Sequence, residues 1–300
     1  MTHLDNVLGL FDGMSCGQAA LKRAGIKYNN YFASEIDDSA ISIALKNFPK
    51  TIHVGSVVDV KAKKLPKIDL VLIGSPCTDL SRAGKGLGFR TTCGIKITNL
   101  TQYEKLKRQG KEFSGQSYLF WEAIRILREI KPKYFLFENT LMSEEWLKIF
   151  NKELGVEPIK INSSVLTAQN RERLYWTNLP GFKTPKDKGV MFNDLFSGVS
   201  AGIRGRKLKG DNHYTSVLTL RKDGKANCLV TSPSRTNLIL DKGKLKTITI
   251  DQAEILQTLS KGYTDLPGIS KGARYKMIGN GWTIDVVAHF FKCFKNAKIK

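Results

Sequence analysis

The chain has 300 residues, 41% of them hydrophobic, which is enough for one large α/β domain with a smaller one appended. Its 48 basic against 27 acidic residues leave a net charge of +21, a field that attracts polyanions, nucleic acid first among them, although a lysine-rich solvated surface carries the same balance. No apolar run approaches membrane-spanning length, and Met1-Thr2-His3-Leu4-Asp5 lacks the basic-then-apolar shape of a signal peptide, so a soluble, cytoplasmic protein without a membrane partner is expected.

In chain order, Asn6 to Phe11 reads as a short apolar strand, followed by the turn Asp12-Gly13-Met14-Ser15-Cys16-Gly17 and a helix from Gln18 to Ala24 that Gly25 stops. Tyr31 to Glu35 is a second strand with an acidic end, Asp38 to Asn47 a helix, Ile52-His53-Val54 the start of a third strand and Lys67 to Ile73 a fourth. Tyr118 to Ile130 has helical apolar spacing, and Tyr134 to Phe137 is a fifth strand ending at Glu138-Asn139. This alternation predicts an α/β fold, a doubly wound and mostly parallel sheet. After Trp176 the pattern changes. Residues 177–250 carry 14 Lys and Arg against 5 Asp and Glu, with short alternating runs such as Ser216 to Leu220, and read as a small, basic, mostly β module. Helical patterns return over Asp251 to Leu259 and Ile284 to Phe294, so residues 1–176 and 251–300 would form the main domain.

Five cysteines with no C-x-x-C pair, and four His with no H-E-x-x-H, point to neither a disulfide framework nor a metal site. Cys77 is the exception worth following. It sits in Gly74-Ser75-Pro76-Cys77, directly after the buried-type run Ile68 to Ile73, at the strand end where open α/β sheets bind ligands. Thr78-Asp79-Leu80-Ser81 reads as a capped helix start, whose amino end would lower the thiol pKa; a buried structural Cys is the plainer alternative. From Cys77 to Tyr118 runs a long basic segment jointed by Gly84, Gly86, Gly88, Gly94 and Gly110, suited to a lid over an anionic polymer.

The turn after the first strand could cradle a nucleotide-like cofactor, with Glu35 placed to bond ribose hydroxyls. The spacing Gly13-Met14-Ser15-Cys16-Gly17 is not G-x-G-x-x-G, which counts against NAD and leaves adenosine cofactors without a pyrophosphate. Glu138 would project over the same rim as Cys77, pairing a nucleophile with a proton donor. In Gln169-Asn170-Arg171-Glu172-Arg173, extended backbone puts Arg171 and Arg173 on one face, where paired guanidinium groups suit a carbonyl or phosphate; a surface salt-bridge cluster is the default for such a run.

Taken in order, Phe11-Asp12-Gly13, Glu35, Ser75-Pro76-Cys77, Phe137-Glu138-Asn139, Gln169 to Arg173 and Gly279-Asn280-Gly281-Trp282 resemble the ordered motifs of DNA (cytosine-5) methyltransferases, from Val7 to Phe291. Cys77 to Ser81, Arg235-Thr236-Asn237, Gly262 to Asp265 and Gly281-Trp282 resemble the de novo branch in particular. The resemblance implies a Rossmann-like, S-adenosylmethionine-dependent fold with a target-recognition module at 177–250 and double-stranded DNA as partner. It implies that Cys77 attacks C6 of a flipped cytosine, Glu138 holds the exocyclic amine and protonates N3, Arg173 bonds the base carbonyl and Arg171 supports the site. It implies that Phe11, Asp12, Gly13, Met14, Ser15, Cys16, Glu35, Ile36, Ser56, Val57, Pro76, Asn280, Gly281 and Trp282 hold S-adenosylmethionine, and that Ser81, Arg235 and Asn237 contact DNA. One departure stands at the end of the third strand. Family members usually carry an acidic residue there for the adenine amine, whereas this chain has Ser56, with Asp59 three residues later.

Three other readings stay open on the residues. A transfer RNA cytosine methyltransferase shares the chemistry, but its nucleophile segment is expected to lack Thr78-Asp79-Leu80-Ser81. A catalytically silent DNA-binding homologue should have lost one of Cys77, Glu138 and Arg173, all of which are present. An NAD oxidoreductase leaves Cys77 and the basic module unexplained. The compact length without fused reader domains points to a prokaryotic or phage setting.

Overall fold

Alternating apolar strands and amphipathic helices build the first sheet of the computed structural model, which describes residues 3–80, 88–207 and 214–296. In order come β1 (His3–Leu10), α1 (Cys16–Ala24), β2 (Lys27–Ser34), α2 (Asp38–Asn47), β3 (Ile52–Gly55), β4 (Leu70–Ile73), α3 (Leu100–Arg108), α4 (Phe120–Ile130), β5 (Tyr134–Asn139), α5 (Glu144–Leu154), β6 (Ile159–Asn162) and β7 (Glu172–Thr177). The strands lie in the order β3-β2-β1-β4-β5-β7-β6; β7 alone runs antiparallel to its neighbours. Both faces of β4 are buried, which is why its run is continuously apolar rather than alternating. The chain winds outward from β1 to β3 and returns to β4 on the other side of β1. That reversal opens a crevice at the carboxyl ends of β1 and β4, the place where doubly wound sheets take ligands.

Local signals account for several boundaries. Gly25 ends α1 in the left-handed region, its N–H bonding back to Leu21 and Lys22 carbonyls. Asp37 starts α2 by accepting from the N–H groups of Ser39 and Ala40.

The segment from Cys77 to Tyr118 is not the structureless loop that its glycines predict. From Gly88 onward it is packed structure, with Phe89, Ile97, Leu100, Tyr103 and Leu106 buried and α3 in its middle. Leu100, Tyr103 and Leu106 recur every three residues, a helical stripe overshadowed by the flanking Gly and Lys. Glu122 of α4, fully buried, accepts from Tyr103 Oη and Lys107 Nζ at 2.5 Å each and so pins α3 down. Within the segment expected to form a lid, from Cys77 to Tyr118, residues 81–87 lie outside the described residues.

A second, antiparallel sheet follows α6 (Phe192–Leu195). It contains β8 (Val199–Lys207), β9 (Tyr214–Leu220), β10 (Leu238–Asp241) and β11 (Lys244–Thr247) in the order β11-β10-β8-β9. Then come α7 (Ile250–Leu256), α8 (Lys271–Asn280), α9 (Ile284–Phe291) and α10 (Cys293–Asn296). The run read as one terminal helix is therefore two, and α9 buries Val286, Val287, Phe290 and Phe291 in the core shared with α1. Where α8 meets the segment leading to β10 there is no room for a side chain. A Cβ on Gly279 would stand 2.5 Å from the Val230 carbonyl carbon and 2.6 Å from its oxygen. Gly279→Ala should therefore force the backbones apart and cost about 1–3 kcal/mol, read as a lower melting temperature; an unchanged melting temperature would show that the seam is loose.

Candidate active site

Register sets the site. Leu10 of β1 pairs with Ser34 of β2 and with Ile73 of β4, and Ile73 pairs with Phe137 of β5. The residues that follow each partner therefore emerge side by side. They are Phe11-Asp12-Gly13, Glu35, the turn Gly74 to Cys77, and Glu138-Asn139. Together with Arg171 and Arg173 from the start of β7 and with Asn280, Gly281 and Trp282 beyond α8, they line one cleft of about 510 Å³. Residues brought together from six separate stretches of chain thus share one wall system.

On the β1–β2 side the donors and acceptors are arranged for a polar ligand. Glu35 accepts from the N–H groups of Gly13 (2.8 Å), Ile36 (2.7 Å) and Asp37 (3.0 Å), which fixes its carboxylate at the rim. Asp12 Oδ1 accepts from the Tyr31 hydroxyl at 2.5 Å, while Oδ2 is buried with no partner among the described residues. Burial pushes the Asp12 carboxyl up to about 6. Ile36 stands 71% exposed beside the cleft, an aliphatic surface with nothing packed on it. Met14 and Cys16 line the floor, and burial pushes the Cys16 thiol up to about 12, which makes it inert.

Three residues assigned to this pocket from the sequence stand outside its wall. Ser15 is fully buried and accepts from Gln18 Nε2 at 2.7 Å. Ser56 closes a tight turn, its carbonyl accepting from the Asp59 N–H and its Oγ from the Val58 N–H. Val57 is buried in the hydrophobic core. A turn immediately after β3 directs Val57 into the core and spends Ser56 on its own backbone, so neither lines the cleft.

The other side of the cleft carries Cys77, Glu138, Arg171 and Arg173. Glu138, 7% exposed, is held at both oxygens: Arg173 Nε lies 3.1 Å from Oε1, and the Trp282 indole N–H donates to Oε2 at 3.0 Å. Arg171 is almost wholly buried and donates to the carbonyls of Leu229, Gly279 and Gly281. It thus braces the cleft from behind. Asn139 Nδ2 reaches the Ser75 carbonyl and Oγ, tying the end of β5 to the Cys77 turn.

Cys77 is half-buried on the cleft wall, and Thr78 to Leu80 after it form a turn, while Ser81 of the expected helix start lies outside the described residues. The chain makes a single turn there, Leu80 N–H to Cys77 carbonyl, and Asp79 accepts from the N–H groups of Gln116 and Ser117 instead of capping a helix. Burial and the neighbouring Glu138 push the Cys77 thiol up, and Arg173 and Arg171 only partly offset them. The reactive thiolate fraction therefore grows with pH. Alkylation that is lost in Cys77→Ser should quicken about tenfold per pH unit from pH 7 to 8; a rate independent of pH over that range would mean a preformed thiolate.

Of the residues set against DNA, Asn237 is buried and spent inside the protein, donating to the Cys228 carbonyl and accepting from the Val230 N–H. Arg235 is exposed and bonds Ser216 Oγ at 2.9 Å. Ser81 lies outside the described residues. Sequence reasoning missed Cys228, which faces Arg171 Nη1 at 3.5 Å and Arg173 Nη2 at 3.9 Å. It belongs to no motif, and nothing in its spacing marks it. Among the described residues, no group of three or more His, Cys, Asp or Glu could hold a metal ion, and no helix is long and apolar enough to cross a membrane.

Comparison with known proteins agrees with this geometry. The orphan methyltransferase M.SPBetaI of Bacillus phage SPbeta is 30% identical over 296 residues, covering 87% of this chain and 66% of that protein. M.Rho11sI of Bacillus phage rho11s is 32% identical over 182 residues, 56% of this chain, and the matched part spans only 32% of that relative's length. In fold, the Dnmt2 methyltransferase of S. pombe superposes with a TM-score of 0.68 at 14% identity, over 99% of this chain and 100% of that one. Residues 6–188, more than half of the chain, match the description of C-5 cytosine-specific DNA methylases, and the chain belongs to that family.

Proposed function

We propose that the protein methylates cytosine at C5 in double-stranded DNA, with S-adenosylmethionine as methyl donor. The observation that carries this reading is the meeting of Cys77, Glu138 and Arg173 in one cleft with the Asp12 and Glu35 carboxylates. The cofactor's parts suit what lies there. An ammonium group suits the unpartnered Asp12 Oδ2, ribose hydroxyls suit Glu35, and a purine ring suits the bare Ile36 surface. When bound, it supplies an electrophilic methyl group to the carbon that the protein has made nucleophilic.

The remaining chemistry falls to the chain. Extruding the target base costs about a few kcal/mol, which binding in the cleft offsets. Cys77 Sγ, once deprotonated, forms a bond to C6 of the pyrimidine, and the ring electrons move toward C5. Glu138 holds the exocyclic amine and protonates N3, so that no full negative charge builds on the ring. Arg173, already beside Glu138, bonds the base carbonyl. After methylation, a water molecule takes the C5 proton, the C6–S bond breaks to release Cys77 as a thiolate, and N3 returns its proton to Glu138, which restores the aromatic ring.

DNA is preferred over transfer RNA because of the segment Cys77 to Ser81 and the family's own description. The basic second sheet and its flanks would grip the duplex, with exposed Arg235 a candidate for a base edge. Relatives in Bacillus phages agree with action on DNA in a bacterial or phage-infected cell. Bisulfite sequencing of DNA from cells expressing the protein, alongside methyl incorporation into duplex DNA and transfer RNA in competition, tests this. Converted cytosines throughout the DNA with label in the RNA would overturn it.

A further inference from the structure

We propose that Trp282 is a positioning residue for Glu138, and that one indole couples the donor wall of the cleft to the acid serving the base. This rests on the methyltransferase reading above. The terminal torsion of a Glu side chain is broad, so a carboxyl that must meet a ring nitrogen in a fixed direction needs donors to hold it. Glu138 is held at both oxygens, by the Arg173 guanidinium in an ion pair at Oε1 and by the Trp282 N–H donating to Oε2.

The indole is itself held on three sides. Its ring lies against Gly74, where a Cβ would stand 3.2 Å from Nε1 and 3.3 Å from Cζ2. Gly74 leads directly into Ser75-Pro76-Cys77, so the ring packs on the nucleophile's own turn. The backbone before it is fixed, since the Gly281 carbonyl accepts from Arg171 at 2.9 Å and from Gln257 at 3.0 Å. A Cβ on Gly281 would meet Met14 Cε at 2.7 Å, so the backbone before the ring lies close against Met14. A ring serving only as an apolar wall has no need of its N–H at this point. Here the N–H is aimed at the carboxylate, and the orientation is preorganised.

The test removes the N–H and keeps the ring. In Trp282→Phe, single-turnover methyl transfer to duplex DNA should slow about tenfold, the worth of a hydrogen bond to a charged group. Because Trp282 also lines the donor pocket, the rate is read at saturating S-adenosylmethionine and duplex DNA, where any shift in their binding does not enter. The same change made in Glu138→Gln should cost nothing further, because both act through one carboxylate. If Trp282→Phe fails to fold, Gly74→Ala displaces the indole by a few tenths of an ångström and should slow transfer in native protein but not in Glu138→Gln. An unchanged rate in Trp282→Phe, or an equal loss with and without Glu138, overturns the proposal. Native protein that transfers no methyl to cytosine overturns instead the reading beneath it, and the two failures are told apart by that single control.

Discussion

Replacing Cys77 by Ser is expected to abolish methyl transfer, by at least about 10⁴-fold, while duplex DNA and S-adenosylmethionine still bind. A serine hydroxyl fits where the thiol stands, so the cleft keeps its shape. What it loses is an atom able to become an anion near neutral pH and to add to C6. Burial and Glu138 already hold the native thiol above its ordinary value, and a hydroxyl in the same surroundings is far beyond reach of ionisation. Single-turnover kinetics with labelled donor, together with equilibrium binding of DNA, separate the two effects. Transfer at the native rate would exclude Cys77 as the nucleophile.

Glu138→Gln should lower the transfer rate by about 10²–10⁴-fold. The amide keeps the volume of the carboxyl but has no acidic proton to give to N3. It also disturbs the resting cleft. Arg173 is ion-paired with one carboxylate oxygen and the Trp282 N–H donates to the other, so whichever way the amide is turned its NH₂ faces a guanidinium or an indole N–H. One of those N–H groups is left without an acceptor, a cost of about 1–3 kcal/mol that should also appear as a lower melting temperature. A native rate would remove Glu138 from the chemistry; a native melting temperature with a lost rate would mean that the amide relaxes freely.

Much of the fold was legible because its signals are local. Gly25 stops α1, Asp37 starts α2, and the short aliphatic runs of β1, β4 and β5 end where their turns begin. Each strand end then inherits its neighbours from parallel register, which is why Cys77, Glu138 and Glu35 could be set on one rim from spacing alone. The failures are long-range. Asp79 looks like a helix cap in its own sequence, yet its partners are 37 and 38 residues away in the turn before α4. Asn237 looks free to read a base until the backbone of Cys228 and Val230 claims both ends of its amide. Ser56 and Val57 sit one tight turn off the cleft, a shift too small for motif spacing to register. The bond between Trp282 and Glu138 joins residues 144 apart, and no periodicity announces it.

The brace formed by Arg171 has a consequence for which sequences this scaffold tolerates. Its guanidinium serves carbonyls from two segments, Leu229 on one side and Gly279 and Gly281 on the other, through nitrogens set rigidly in one plane. A lysine has the charge but a single donor centre, and cannot span that fork. Substituting it would strand buried oxygens at the junction of the two modules. The position is therefore closed even to the other basic residue, and drift in the surrounding chain must accommodate the arginine rather than replace it.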